Sequence, residues 1–111
     1  CKLMLYRGLN YENITNAALD GASVINCSWG SAGSYNSYNQ TLINAASNEG
    51  AIIVAAAGNT NGSNVTSYYY PASYDNVISV MAVDSDKRYA CINCSNDPSP
   101  SASKIFIQND K

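Results

Sequence analysis

The chain has 111 residues, enough for one modest domain. Six basic residues against eight acidic ones, scattered along it, leave no patch for nucleic acid or anionic lipid, and no apolar run approaches the roughly 18 residues of a membrane span. Hydrophobic residues make up 46%, which excludes wholesale disorder, while charged residues reach only 13% and Asn, Ser and Tyr supply the polar surface, a composition that suits a secreted or cell-surface protein.

Cys1 to Arg7 reads as a strand that Gly8 breaks. Asn10 can cap a helix whose apolar positions Ile14, Ala17 and Ala18 recur at three and four, with Gly21 as its stop. Ala22 to Cys27 is a second strand, and a loop from Ser28 to Asn36 follows it. Ser37 or Asn39 then caps a second helix, with Leu42, Ile43, Ala45 and Ala46 inward and Gly50 ending it. Ala51 to Ala56 is a third strand, apolar on both sides, and Val77 to Val83 a fourth; Ile105 to Ile107 reads as one more. The stretch from Thr60 to Asn76 has no helical pattern, and a loop that long in a compact domain is usually functional.

Strands alternating with helices imply an α/β fold, a parallel, doubly wound (Rossmann-like) sheet with helices on its faces. The chain opens without Met, directly in an apolar segment, and stops just after another, as expected of a piece of something larger. Of the four cysteines, Cys91 and Cys94 have the spacing of half a zinc site, a redox motif or a small disulfide loop. A structural zinc needs four ligands and the chain has no His, so neither a metal site nor a cofactor is expected.

In open parallel sheets ligands bind beyond the carboxyl ends of the strands. Two such ends stand out: Ser28-Trp29-Gly30 after the second strand and Ala57-Gly58-Asn59 after the third. An Asn held rigidly at a strand end can aim its side-chain N–H at a carbonyl oxygen that gains negative charge during acyl transfer. Gly-Asn after a strand is also ordinary turn chemistry, since both residues tolerate positive φ.

Three segments in order, GASVINCSWG, NAASNEGAIIVAAAGN and YYYPASYDNVISVMAVD, resemble consecutive core segments of the subtilisin-like serine proteases, with the family's spacing between them. The resemblance covers residues 1 to about 90. It implies a partial catalytic domain: a strand-helix-strand-helix-strand core over 1–59, a loop over 60–76, a strand over 77–83 and a poorly matching tail over 89–111. Asn59 falls on the family's oxyanion-hole asparagine, and Ser28, Trp29 and Gly30 on the extended segment that pairs with the substrate backbone. Trp29, standing where a smaller apolar residue is usual, would wall the subsites upstream of the cut. Ala57 and Gly58 fall on one wall of the pocket for the residue before the scissile bond. Tyr69 lands near that pocket's floor, where glycine is common, a departure that argues against a deep pocket for aromatic side chains. The plainer use of Trp29 and Tyr69 is packing, which is what aromatics usually do.

The family's mechanism needs a nucleophilic Ser, a His base and an Asp orienter, and none of those motifs stands in these residues. The resemblance therefore implies a fragment of a subtilisin-like endopeptidase acting on peptides or proteins. It would supply the oxyanion donor and part of the cleft, with the rest of the catalytic domain in cis or on a separate chain. The alternative is a non-enzymatic, degenerate protease-like module that binds peptides or is structural. A phosphate-binding domain is a weaker reading, since no strand leads into a Gly-x-Gly-x-x-Gly or Walker-type loop.

Overall fold

The computed structural model describes residues 2–58, 68–83 and 104–108. Asn10, in extended backbone, opens α1 (Tyr11–Leu19) by accepting a hydrogen bond from the Asn13 amide at 2.8 Å. Asn36 does the same for α2 (Ser37–Asn48), accepting from the Asn39 amide at 3.0 Å. Each cap satisfies one of the orphan N–H groups of a helix start. Asn36 is thus the cap, rather than Ser37 or Asn39. All three side chains have the chemistry, and the backbone bend selects the one still in extended conformation.

Four strands form the main sheet: β1 (Val24–Cys27), β3 (Ile52–Ala56), β5 (Val77–Val83) and β6 (Lys104–Gln108), in the order β1-β3-β5-β6. β3 runs parallel to β1 and β5, with Cys27 opposite Ala55 and Ala56 opposite Val80. β6 confirms the strand expected near Ile105–Ile107 and runs antiparallel to β5. Two short strands lay outside the sequence reading: β2 (Ser31–Gly33) and β4 (Tyr68–Tyr70) pair antiparallel in the segments read as loops.

The helices pack against each other, α1 against β1 and α2 against β3. Ile43 and Ala46 are fully buried between them and the sheet, with Ile14, Ala18, Cys27, Ile53, Ala55 and Tyr74. Thr15 Oγ1 donates to the Leu42 carbonyl at 3.0 Å and ties the helices together. The α/β class is as read, but among the described residues both helices cover one face. The other face of β1 and β3 carries Val24 and Ile52, both exposed. Both helices share a face because they pack side by side along neighbouring parallel strands.

Gln40 is the one buried polar residue among those described, and its amide is fully used. Its Nε2 donates to Asn44 Oδ1 at 2.8 Å and the Asp75 carbonyl at 3.2 Å, and its Oε1 accepts from the Asp75 amide at 3.0 Å. These bonds fasten α2 to the turn over 71–76, so Gln40 joins the inner face with Ile43 and Ala46, whereas Leu42 and Ala45 are only half-buried.

The expected first strand is not formed. Residues 2–7 lie outside regular structure, with Leu3 and Leu5 exposed, and flank a groove of about 760 Å³ against α1 and β1. A run of apolar residues such as Leu3 to Tyr6 does not name a pairing partner, and a strand exists only where its backbone groups are paired.

Replacing Ile43 by Ala empties a fully buried site, whereas Ile52 is half exposed. Urea unfolding is expected to show a loss of about 2–5 kcal/mol for Ile43→Ala and under about 1 kcal/mol for Ile52→Ala. Equal losses would refute the assignment of the inner face.

Candidate active site

Two chain segments leave the carboxyl edge of the sheet side by side. Cys27 ends β1 and leads into Ser28–Gly30; Ala56 ends β3 and leads into Ala57 and Gly58. Cys27 and Ala55 are register partners, so both exits start from neighbouring strands about 5 Å apart. The Ala57 amide donates to the Val80 carbonyl at 2.8 Å, which carries the pairing with β5 one residue past β3. Gly58 then turns with φ +106°, a conformation that a side chain would strain. Asn59 and the two cysteines Cys91 and Cys94 lie outside the described residues.

Tyr69, the middle residue of β4, brings the two exits together. β4 pairs with β2 so that Ala32 faces Tyr69 and Ser31 faces Tyr70. The Tyr69 hydroxyl donates to the Gly30 carbonyl at 2.7 Å. One edge of its ring lies over Gly30, where an added Cβ would meet Cε1 at 2.6 Å; the other lies over Gly58, where an added Cβ would meet Cδ2 and Cγ at 3.1 Å. The six residues singled out in the described part, Gly30, Gly58 and Tyr69 with the adjoining Ser28, Trp29 and Ala57, therefore gather at one edge of the sheet. Ser28 is exposed there. Its Oγ accepts from Asn26 Nδ2 at 2.9 Å, and no His in the chain could take its proton.

Trp29 is half-buried and packs edge-on against Tyr11, with ring centroids 5.5 Å apart. Tyr11 in turn packs on Tyr74, which also meets Tyr35 and Tyr70. This aromatic cluster holds the Ser28–Gly30 exit from below. The sequence reading missed it and missed the β2–β4 pairing. The run Tyr68-Tyr69-Tyr70 carried the usable signal, since aromatics favour strands. Cys27 sits beside the site, but burial pushes its thiol up to about 11, so it is neutral and unreactive at ordinary pH. Burial, with Tyr74 nearby, likewise pushes the Tyr11 hydroxyl up to about 12. Among the described residues no cluster of three His, Cys, Asp or Glu could hold a metal ion.

Comparison with known proteins agrees with this architecture. The model of the subtilase family matches residues 4–105. The chain is 48% identical over 79 residues to the thermophilic serine proteinase of Bacillus sp. (strain AK1), covering 71% of this chain and 19% of that protein. It is 44% identical over 73 residues to thermitase of Thermoactinomyces vulgaris, covering 66% of this chain and 25% of that protein. Its fold superposes on a psychrophilic subtilisin-like protease from the Antarctic psychrotroph Pseudoalteromonas sp. AS-11 with a TM-score of 0.59 at 41% identity, covering 77% of this chain and 19% of that one. With parallel strands, flanking helices and a family match over most of its length, this chain belongs to the subtilases, a family of serine proteases. It spans about a fifth to a quarter of the length of these relatives.

Two outcomes follow from the packing. A Cβ at Gly30 would lie 2.5 Å from the Tyr70 carbonyl as well as against the Tyr69 ring, whereas Gly33 has nothing within 4 Å. Gly30→Ala is therefore expected to cost about 1–3 kcal/mol, as overpacking does, with Gly33→Ala nearly neutral, both read by urea midpoint. The thiol of Cys27 and the hydroxyl of Tyr11 hold their protons more tightly folded than unfolded. Their contribution is complete below pH 9 and is lost as pH rises toward 11 and 12, because the unfolded chain ionises first. The urea midpoint should fall across that window, and less steeply in a Cys27→Ala, Tyr11→Phe double variant.

Proposed function

We propose that this chain is part of a subtilisin-like serine endopeptidase and supplies the oxyanion donor and part of the peptide cleft. Asn59 is the donor; Ser28, Trp29 and Gly30 are the segment on which a peptide or protein substrate lies; Ala57, Gly58 and Tyr69 surround the side chain before the scissile bond. The observation that carries this reading is the side-by-side exit of Ser28–Gly30 and Ala57–Gly58 from neighbouring parallel strands, inside a chain of subtilase sequence.

The chemistry divides accordingly. An extended substrate adds to the Ser28–Gly30 backbone by main-chain hydrogen bonds, which fixes its direction across the sheet edge. A nucleophilic Ser, a His base and an Asp orienter perform the attack; the 111 residues contain no His, so these groups belong to the remainder of the catalytic domain, in cis or on a separate chain. As the carbonyl becomes tetrahedral, the Asn59 amide meets the oxyanion just beyond the turn at Gly58. No cofactor enters, and the protein works outside the cell or at its surface. A degenerate module that binds peptides without cutting them would use the same cleft, and the missing His keeps that second reading in play. The encoded sequence on either side separates the two, since only an active protease requires the three triad motifs.

Asn59→Ala in the intact protein is expected to lower kcat about a hundredfold, about 3 kcal/mol of transition-state stabilisation, with KM nearly unchanged. That magnitude is the one typical of losing an oxyanion donor in subtilisin, a member of the same family. The donor meets its partner only when charge develops, so ground-state binding barely senses it. Active-site-titrated kcat measured beside Tm checks this: a lower Tm with unchanged kcat would make Asn59 a turn residue only.

A further inference from the structure

We propose that Tyr69 sets substrate selection in this cleft, closing the space between the two strand exits to any side chain larger than that of alanine before the scissile bond. This deepens the reading above and rests on it. The ring spans the gap from one exit to the other, one edge over Gly30 and the other over Gly58. A methyl group at Gly30 would overlap the ring at 2.6 Å, and one at Gly58 would sit 3.1 Å from it, tighter than ordinary contact, so the ring already fills the room between the two walls.

Three features hold the ring there. Its hydroxyl donates to the Gly30 carbonyl at 2.7 Å. Its backbone is locked in register, Ala32 to Tyr69, by the β2–β4 pairing. The next residue, Tyr70, is buried against Tyr74 at a centroid separation of 4.5 Å, so β4 cannot slide to carry Tyr69 away. The ring can leave only by swinging about its own side-chain bonds, which breaks the bond to Gly30 and exposes the glycine walls. Substrates whose residue at this point is Gly or Ala lie across the ring and need none of that. A Leu or Phe must displace it. The preference thus originates in a residue of β4, while the glycines at 30 and 58 supply the room the ring occupies.

The test uses the intact protein and peptides that differ only in the residue before the cleaved bond, Ala, Leu or Phe. kcat/KM is measured beside calorimetric binding of the matching product peptides, which end at that residue and need no catalysis. Wild type should favour Ala over Phe by about tenfold or more, and Tyr69→Gly should raise the Phe-to-Ala ratio by about tenfold or more. Tyr69→Phe keeps the ring and should keep the preference for Ala. Hydrolysis with the same Phe-to-Ala ratio in wild type and Tyr69→Gly overturns the proposal. If Tyr69→Gly does not fold, the wild type decides, and a kcat/KM for Phe equal to or above that for Ala overturns it as well. Product peptides that switch preference with Tyr69→Gly, in a protein that cleaves none of the substrates, uphold the role of Tyr69 and sink the endopeptidase reading instead.

Discussion

Parallel pairing of β1 with β3 is the constraint from which the rest of the molecule follows. The register Val24 to Ile52 through Cys27 to Ala55 makes both strands end at the same level. Parallel strands need a crossover between them, and α2 provides it, covering Ile53 and Ala55 with Ile43 and Ala46. Because the strands point the same way, the segments that leave them emerge together at one edge. Ser28, Gly30, Ala57 and Gly58, residues small enough to let other groups approach, stand at that edge, and the Tyr69 ring lies over two of them, Gly30 and Gly58.

Aromatic packing then fixes the shape of that edge. Tyr74 is almost completely buried and contacts Tyr11, Tyr35 and Tyr70, with Trp29 joined through Tyr11. Edge-on contacts of this kind add to the burial of large apolar surface and hold orientation as well as position. The Gln40 amide fastens the same turn to α2 through Asp75. The segment carrying Tyr69 is consequently braced from two sides, by β2 through main-chain pairing and by the core through Tyr70 and Tyr74. A side chain on a braced strand can act as a fixed wall, which a side chain on a free loop cannot.

Much of this was legible from residues alone. Both helices, with Asn10 as a cap, and the strands at Ile52–Ala56 and Val77–Val83 follow from periodicity and from Gly21 and Gly50 as stops. The candidate site was legible as two motifs at strand ends, without a measure of how they meet. Cys1–Arg7 misled because a short apolar run suits a strand without naming the strand it would pair with. Ser31–Gly33 and Tyr68–Tyr70 went unread because each is three residues long, too short for any period to register.

The sequence by itself determined the α/β class, the subtilase family and the small residues at the two strand ends, because these rest on local periodicity and on the order of motifs. Only the tertiary structure decided that Asn36 caps α2, that Gln40 is buried with every amide group used, and that the Tyr69 ring lies between Gly30 and Gly58. Each of those depends on contacts such as Gln40 with Asp75 and Tyr69 with Gly30, which lie far apart in sequence, or on where the backbone bends. Side-chain chemistry permits such contacts at several positions, and the packed fold selects one.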